Sequence, residues 1–163
     1  MPHLDAAHNF ARWLTRSDHD AQDVVQEAYL RAFKAFDQFH GSSGDARCWL
    51  LAIVRNTSFT WLHRNRSPAS TVRFEAEIRS RQTDEPDPLT MLEQKDDRQM
   101  LHDAIERLPV DLREVILLRE FENLSYRQIA TIADLPIGTV MSRLARARER
   151  LLQTLCVRMK EET

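Results

Sequence analysis

The sequence predicts an all-α protein made of two small helical domains joined by a flexible linker, and three observations lead to this prediction. Apolar residues recur every three or four positions through most of the chain, which is the period of an amphipathic helix. No stretch alternates apolar and polar residues as a strand does. The periodicity fails between Ser67 and about Pro88, where Ser, Thr, Pro and acidic residues are typical of a linker.

Composition limits the functions that the chain can have. Its 163 residues carry a formal net charge of −2, so nucleic acid could be bound only through local basic patches. No apolar run has the length of a membrane span and no signal peptide opens the chain, which predicts a cytoplasmic location without membrane insertion. No glycine loop for phosphate, nucleophile–base arrangement or metal-ligand spacing is recognisable, and Cys48 and Cys156 are too far apart in sequence to suggest one. We therefore expect no enzyme activity, no cofactor and no metal.

Three helices are predicted in the N-terminal part. The first runs from Leu4 to near Ser17, and the second from about Asp20 to Phe39. The inward stripe of the second helix is expected to comprise Val24, Val25, Ala28, Tyr29, Ala32, Phe33, Phe36 and Phe39. After a loop, Asp45 is expected to cap a third helix from Ala46 to about Arg64, with Trp49 and Trp61 in the core. The bases and aromatic residues on its other faces would suit single-stranded nucleic acid.

Four further helices are predicted after the linker, in which a short helical piece is expected at Phe74 to Arg81. A capping-box pattern at Thr90 and Glu93 predicts a helix that ends at Leu108, and Pro109 and Asp111 begin another that ends before Glu122. Ser125 and Gln128 form a second capping-box pattern, and Asp134-Leu135-Pro136 ends the short helix that follows.

The last helix begins at about Pro136 or Ile137 and is amphipathic and basic. Its apolar stripe comprises Ile137, Val140, Leu144, Ala147, Leu151 and Leu155. Its opposite side carries Thr139, Ser142 and Arg146, with Arg143 and Arg150 on one flank. Together with the short helix before it, this is the pattern of a helix-turn-helix whose second helix can lie in a major groove. The alternative is an ordinary helical hairpin with a solvated basic face.

Three stretches together resemble the sigma-70 family of sigma factors, in its extracytoplasmic-function (ECF) branch. They are DAQDVVQEAYLRAFKAFDQF, then GDARCWLLAIVRNTSFTWLHR, then LPVDLREVILLREFENLSYRQIATIADLPIGTVMSRLARARERL. The resemblance implies region 2 at 1–66, a linker at 67–89 and region 4 with the helix-turn-helix at 90–160. It also implies binding to core RNA polymerase, through the β′ clamp and the β flap, promoter recognition and initiation of transcription, and regulation by an anti-sigma factor.

The same resemblance assigns residues to three surfaces. The β′ clamp of the polymerase would be contacted by Asp23, Gln26, Glu27 and Arg31. The −10 element, including its flipped bases, would be bound by His40, Ser42, Asp45, Arg55, Asn56, Phe59 and Arg64. The −35 element would be bound by Thr139, Ser142, Arg143 and Arg146.

Departures from the family pattern leave part of this assignment open. Met141 stands where many relatives carry a basic residue, and the loop GSSGD is slightly longer than in many of them. The N-terminal helix found in longer relatives is missing here or reduced to Pro2 through Ser17. Two other readings therefore remain. One is a helix-turn-helix regulator that binds an operator without polymerase, and the other is a decoy that occupies polymerase or an anti-sigma protein without driving transcription.

Overall fold

The computed structural model describes residues 3–41, 43–65 and 90–161, with side chains except at 43–44 and 90–94. Seven α-helices make up most of these ranges: α1 Leu4–Thr15, α2 Asp18–Ala35, α3 Ser43–Arg64, α4 Thr90–Glu106, α5 Val110–Glu120, α6 Tyr126–Ala133 and α7 Ile137–Glu161. Within them there is no strand, so the all-α prediction is confirmed. None of the described helices is long and apolar enough to cross a membrane. The predicted piece at Phe74 to Arg81 and the predicted linker at 67–89 lie outside the described residues, and the domain boundaries stay a prediction.

Helices α1, α2 and α3 pack against one another in the N-terminal half. The left-handed residue Arg16 (φ 62°) ends α1, and the Ser17 hydroxyl then accepts a hydrogen bond from the Asp20 amide at 3.3 Å to cap α2. The third helix begins at Ser43, two residues before Asp45, so the predicted cap at Asp45 was wrong. Phe10, Leu14, Val24, Val25, Leu51 and Val54 are among the buried residues of this half.

The inward face of α2 differs from the prediction at two aromatic residues. Phe33 is 84% exposed and Phe36 is 63% exposed, whereas the small residues Ala21, Ala28 and Ala32 are buried. Small side chains allow α2 to lie close to its neighbours, and this contact fixes which of its several apolar faces turns inward. The α-helix also ends at Ala35, and a 3₁₀ turn at Phe36–Gln38 follows, so the helical period does not extend to Phe39.

Four helices form the C-terminal half, as predicted. Every residue of α5 from Leu112 to Leu118 is buried, including the charged Arg113 and Glu114. The capping box before α6 is confirmed: the Gln128 amide donates to the Ser125 hydroxyl at 3.1 Å, and the Ser125 amide donates to the Gln128 side chain at 2.9 Å. Asp134 takes the left-handed conformation (φ 54°) that ends α6 and starts the turn into α7. Val140, Leu144 and Ala147 of α7 are buried, while Ile137 is exposed at its first turn.

The two halves also pack against each other, through α3 on α6 and α1 on α5. The buried Arg113 guanidinium donates to the backbone carbonyl of Trp13 at 2.9 Å and to that of Leu108 at 2.9 Å. The Trp13 ring lies 4.5 Å from His102 and 5.8 Å from Phe121, centroid to centroid. This packing brings the candidate sites of the two halves close together.

Candidate nucleic-acid interface

The basic helix α7 presents its predicted DNA-reading residues within about two turns. Ser142 and Arg146 are exposed, and Thr139 is half-buried in the first turn. The Ser142 hydroxyl donates to the Thr139 carbonyl at 3.0 Å, which holds it against its own helix. Arg143 differs from these, because its side chain turns towards Glu114 of α5 and is only 24% exposed. The buried stripe Val140, Leu144 and Ala147 anchors the helix, so its polar side has a fixed direction.

One side of α3, partly covered by the C-terminal half, carries the main part of the predicted −10 set. Arg55 lies over the Phe59 ring with its guanidinium carbon 4.1 Å from the ring centroid, and it donates to the Asn56 side chain at 3.3 Å. Asn56 and Arg64 are exposed, and Phe59 is half-buried. Arg55, Asn56 and Phe59 therefore form one contiguous group, whereas Arg64 lies at the far end of the helix.

The loop between α2 and α3 is packed at its base and open at its tip. The Phe39 ring lies 4.9 Å from Trp49, and a Cβ atom at Gly41 would come within 2.8 Å of the Phe39 ring. Any larger residue at this position would force the Phe39 ring to shift, so glycine suits the close approach. His40 and Asp45 are exposed on either side, and Ser42 lies outside the described residues.

Glu114 connects the two candidate DNA surfaces, and the sequence prediction did not include it. Its side chain is 0% exposed, and its carboxylate accepts a bidentate hydrogen bond from Arg55, Nε to Oε2 at 2.8 Å and Nη2 to Oε1 at 3.3 Å. Arg143 Nη1 lies 3.8 Å from the same Oε1. Burial raises the pKa of the Glu114 carboxyl, and the hydrogen bond from Arg55 and the charges of Arg55 and Arg143 oppose that rise. We call this group, Arg55, Glu114 and Arg143, the glutamate clasp.

A sequence signal for Glu114 did exist. It is one of two adjacent charged residues inside the otherwise apolar run of α5, and a buried charge is costly unless it has a partner. A charged residue inside an apolar helix indicates that a partner of opposite charge is needed, but the sequence does not indicate which residue that partner is.

The predicted polymerase-binding residues lie on the exposed side of α2. Asp23, Gln26, Glu27 and Arg31 are all exposed, and Arg31 pairs with Glu27 at 2.6 Å. The same side carries Leu30, which is 63% exposed, and Phe33. The sequence analysis placed Phe33 on the inward stripe because it is apolar, and it did not consider Leu30 at all. Large exposed apolar side chains beside charged ones are typical of a protein-binding surface.

Comparison with family models places both halves in one family. The model described as "Sigma-70 region 2" matches residues 1–67, and the model described as "Sigma-70, region 4" matches residues 98–151. The two matches follow each other in the order that the sequence motifs predicted.

Known proteins agree with the family models. The chain is 41% identical over 140 residues to the ECF RNA polymerase sigma-E factor of Escherichia coli K12, in an alignment covering 81% of this chain and 72% of that one. It is 36% identical over 169 residues to the RNA polymerase sigma-H factor of Pseudomonas aeruginosa, with coverage of 97% and 86%.

Solved structures resemble the whole chain as well. The sigma factor RpoE of Bartonella quintana, in complex with the anti-sigma factor NepR, has a TM-score of 0.68 at 29% identity and covers 94% of this chain and 92% of its own. CnrH in complex with the cytosolic domain of CnrY has a TM-score of 0.65 at 25% identity, with coverage of 96% and 84%.

Proposed function

Because the chain belongs to the sigma-70 family of RNA polymerase sigma factors, in its ECF branch, we propose that it binds core RNA polymerase, directs it to promoters and starts transcription there. The observation that carries this function is the presence of region 2 and region 4 in one chain, in order. A sigma factor acts by binding and not by catalysis, so the chain is not an enzyme. Its place of action is the cytoplasm, where polymerase and promoter DNA are found.

Region 4 reads the −35 element through α7. Arg146 is exposed and lies on the same side of the helix as Ser142, where an arginine can donate two hydrogen bonds to a guanine. Thr139 and the free amides at the start of α7 hold a backbone phosphate. Arg143 contributes once it is free of the clasp. Residue Met141 adds an exposed apolar side chain to this surface in place of a base.

Region 2 binds the −10 element through α3 and the loop before it. Arg55, Asn56 and Phe59 offer a cation, an amide and an aromatic face side by side, which are the groups that hold an unstacked base. His40, Ser42 and Asp45 belong to the loop on one side of this group. Arg64, at the far end of α3, neutralises a backbone phosphate and adds affinity without reading sequence.

Core polymerase is bound through the exposed side of α2. Asp23, Gln26, Glu27 and Arg31 supply polar contacts to the β′ clamp, and Leu30 and Phe33 supply the apolar centre of the same surface. Region 4 contacts the β flap. The bound partners are therefore polymerase and promoter DNA.

An anti-sigma factor is the expected regulator. One of the solved structures described above is a sigma factor in complex with an anti-sigma factor, and its similarity extends over more than nine-tenths of this chain. This similarity supports a packing of the two regions like the one in that complex. A partner that holds this arrangement would keep the factor from its promoter.

The experiment that tests the function is promoter-directed transcription. The purified chain is mixed with core RNA polymerase and a pool of genomic fragments, and the run-off transcripts are sequenced. Discrete start sites that share two upstream motifs are the expected result. Polymerase binding without transcripts would instead identify a decoy, and DNA binding without polymerase would identify an operator-binding regulator.

A further inference from the structure

The side of α7 that faces away from the core carries two neighbouring strips of residues. One strip is polar and contains Ser142 and Arg146, which are both exposed. The other contains Gly138, Met141 and Ala145, which follow one another at helical spacing and are also exposed. An apolar strip therefore runs beside the polar one on the same surface of the helix.

Contacts within the described part of the chain do not account for the apolar strip. The Met141 side chain is 52% exposed. A Cβ atom at Gly138 would meet nothing within 4 Å, and Gly138 does not have a positive φ. Glycine is unfavourable in a helix unless its small size or its backbone freedom is used, and neither use exists here inside the protein. Both residues are thus available for a contact with another molecule.

The charge of the surrounding surface indicates that this molecule is a DNA duplex. Arg146, Arg148 and Arg150 are exposed on the same helix, and they attract the phosphates on the two sides of a groove. An apolar strip that is bordered by such residues would lie over the base edges while the arginines reach the backbone or a guanine.

Thymine is the base whose major-groove edge suits an apolar side chain. It alone carries a methyl group there, whereas the edges of the other bases offer hydrogen-bond donors and acceptors. The flexible and polarisable thioether of methionine adapts its shape to such a group. Opposite a guanine or a cytosine, the same side chain would displace water from a polar edge without replacing its hydrogen bonds, which is unfavourable. Met141 can therefore distinguish base pairs without a hydrogen bond of its own.

The residues one turn before and one turn after Met141 permit a close approach to the bases. Gly138 has no side chain and Ala145 has only a methyl group, so the helix can come nearer to a base edge at both positions. Arg146 lies five residues after Met141, which is about 7.5 Å along the helix axis and about two base-pair steps of a duplex. The bases contacted by Met141 and by Arg146 would then belong to one short motif.

We propose that Met141 is a specificity-determining residue of the −35 surface, which recognises a thymine through its C5-methyl group, while Gly138 and Ala145 leave room for the base pair. The proposal rests on the proposed function, in which α7 lies in a major groove. It adds to that function the type of base and the group on it that is recognised.

The test removes the methyl group from the DNA and the thioether from the protein, separately and together. The motif that the full chain binds is first selected from a pool of random duplexes, without polymerase. Each thymine of the motif, on either strand, is then replaced by deoxyuridine, which pairs with adenine in the same way and lacks only the methyl group. Fluorescence anisotropy measures the affinity of the parent chain, of Met141→Ala and of Met159→Ala. Met159 is the matched control, because it is a 63% exposed methionine near the other end of α7.

The expected result is a loss that depends on Met141. At one particular thymine, deoxyuridine should lower the affinity of the parent chain and of Met159→Ala roughly fourfold, the effect of one methyl group lost from an apolar contact. Met141→Ala should bind the unmodified duplex roughly fourfold more weakly or worse, and should lose nothing further at that thymine, because both changes remove the same contact. Circular dichroism first establishes that each variant is folded.

Three results would overturn the proposal: a chain that selects no motif with a thymine in it, a parent chain that tolerates every deoxyuridine, and an equal loss for Met141→Ala and the parent chain at the same thymine. If Met141→Ala does not fold, Met141→Gln takes its place, because it keeps the length of the side chain and replaces its apolar end. Run-off transcription with core polymerase tests the proposed function separately. Transcripts without a methyl effect would remove Met141 from base recognition and leave the function standing, whereas a methyl effect without transcripts would support the role of Met141 and refute the function.

Discussion

Arg146 and Arg150 lie one turn apart on α7, are both exposed and carry the same charge. Alanine variants at the two positions therefore distinguish recognition of the base sequence from general electrostatic attraction to DNA. We expect Arg146→Ala to lower affinity for the promoter duplex by roughly tenfold or more, because a bidentate arginine–guanine contact is worth about 1–3 kcal/mol. Arg150→Ala should cost roughly twofold, through a weaker field on the phosphates. Fluorescence anisotropy titration measures both, and equal losses would contradict the assignment of Arg146.

The sequence predicted the role of a residue correctly where that role depends only on the face of its own helix or on near neighbours in the chain. Ser142 and Arg146 are exposed as helical periodicity predicted, and the capping box at Ser125 and Gln128 has both of its hydrogen bonds. Arg55 and Arg143 could not be fully described in this way. Their common partner Glu114 is 59 residues after one and 29 before the other, and a pattern along the chain carries no information on contacts at that separation.

The capping box is the local device that starts the short helix α6. Replacing Ser125 with alanine removes the acceptor for the Gln128 amide, and we expect it to lower the free energy of unfolding by about 1 kcal/mol. Thr131→Ala on the same helix is the matched control, because Thr131 is exposed and its hydroxyl donates only to the Arg127 carbonyl. Alanine favours helix there, so its effect should stay within about 0.5 kcal/mol. Urea unfolding measures both, and a similar loss in the two variants would argue against a capping role.

Helix α2 offers an apolar patch to a partner, and this can be tested without disturbing the core. We expect Phe33→Ser to weaken binding to core polymerase roughly tenfold, because the removed ring would be buried at the centre of that interface. Leu4→Ser on α1 serves as control, since Leu4 is a 44% exposed apolar residue outside the proposed surface. Neither change should lower thermal stability by more than a few degrees. Unaltered polymerase binding by Phe33→Ser would remove Phe33 from the contact.

Helix α2 was the helix whose inward face was least well predicted. Its apolar residues cover more than one face, so periodicity alone allowed Phe33 and Phe36 on the inward stripe. In the structure the face with Ala21, Ala28 and Ala32 turns inward, because small residues permit close helix packing. On α7 the apolar stripe is narrow and the opposite face is charged, and there the prediction was confirmed at Val140, Leu144 and Ala147.

The contact between the two regions is held partly by ion pairs, and charge reversal tests this at the scale of the whole molecule. Arg47→Glu or Glu122→Arg alone places like charges together at the interface, and we expect either to raise the radius of gyration. The double reversal should restore most of the compactness. The recovery is incomplete because Arg47 also donates to the Glu122 backbone carbonyl, which a glutamate at 47 cannot do. A double variant as extended as the single ones would show that this pair does not hold the regions together.

The seven helices of the described residues, three in one half and four in the other, followed from the sequence, whereas the packing of the two groups did not. Local rules determine each helix, because caps, turn residues and apolar stripes act within a few residues. The surfaces through which α3 and α6 pack are each polar enough to face water. From the sequence alone, charged residues such as Arg47 and Glu122 would therefore be expected to be solvated, although they pair in the structure. The contact between them can be seen only in the folded structure.

The glutamate clasp also has a consequence for how the two elements of one promoter act together. Because Arg55 in region 2 pairs with Glu114 in region 4, an element that draws Arg55 away breaks a contact between the two regions, and the second element then binds without breaking it again. The cost of separating the regions is met once, by whichever element binds first. Two short motifs that never touch each other thus become cooperative, and a strong match to one of them compensates for a poor match to the other. Promoter strength for this factor should then depend on both motifs jointly, more steeply than the sum of two independent contributions.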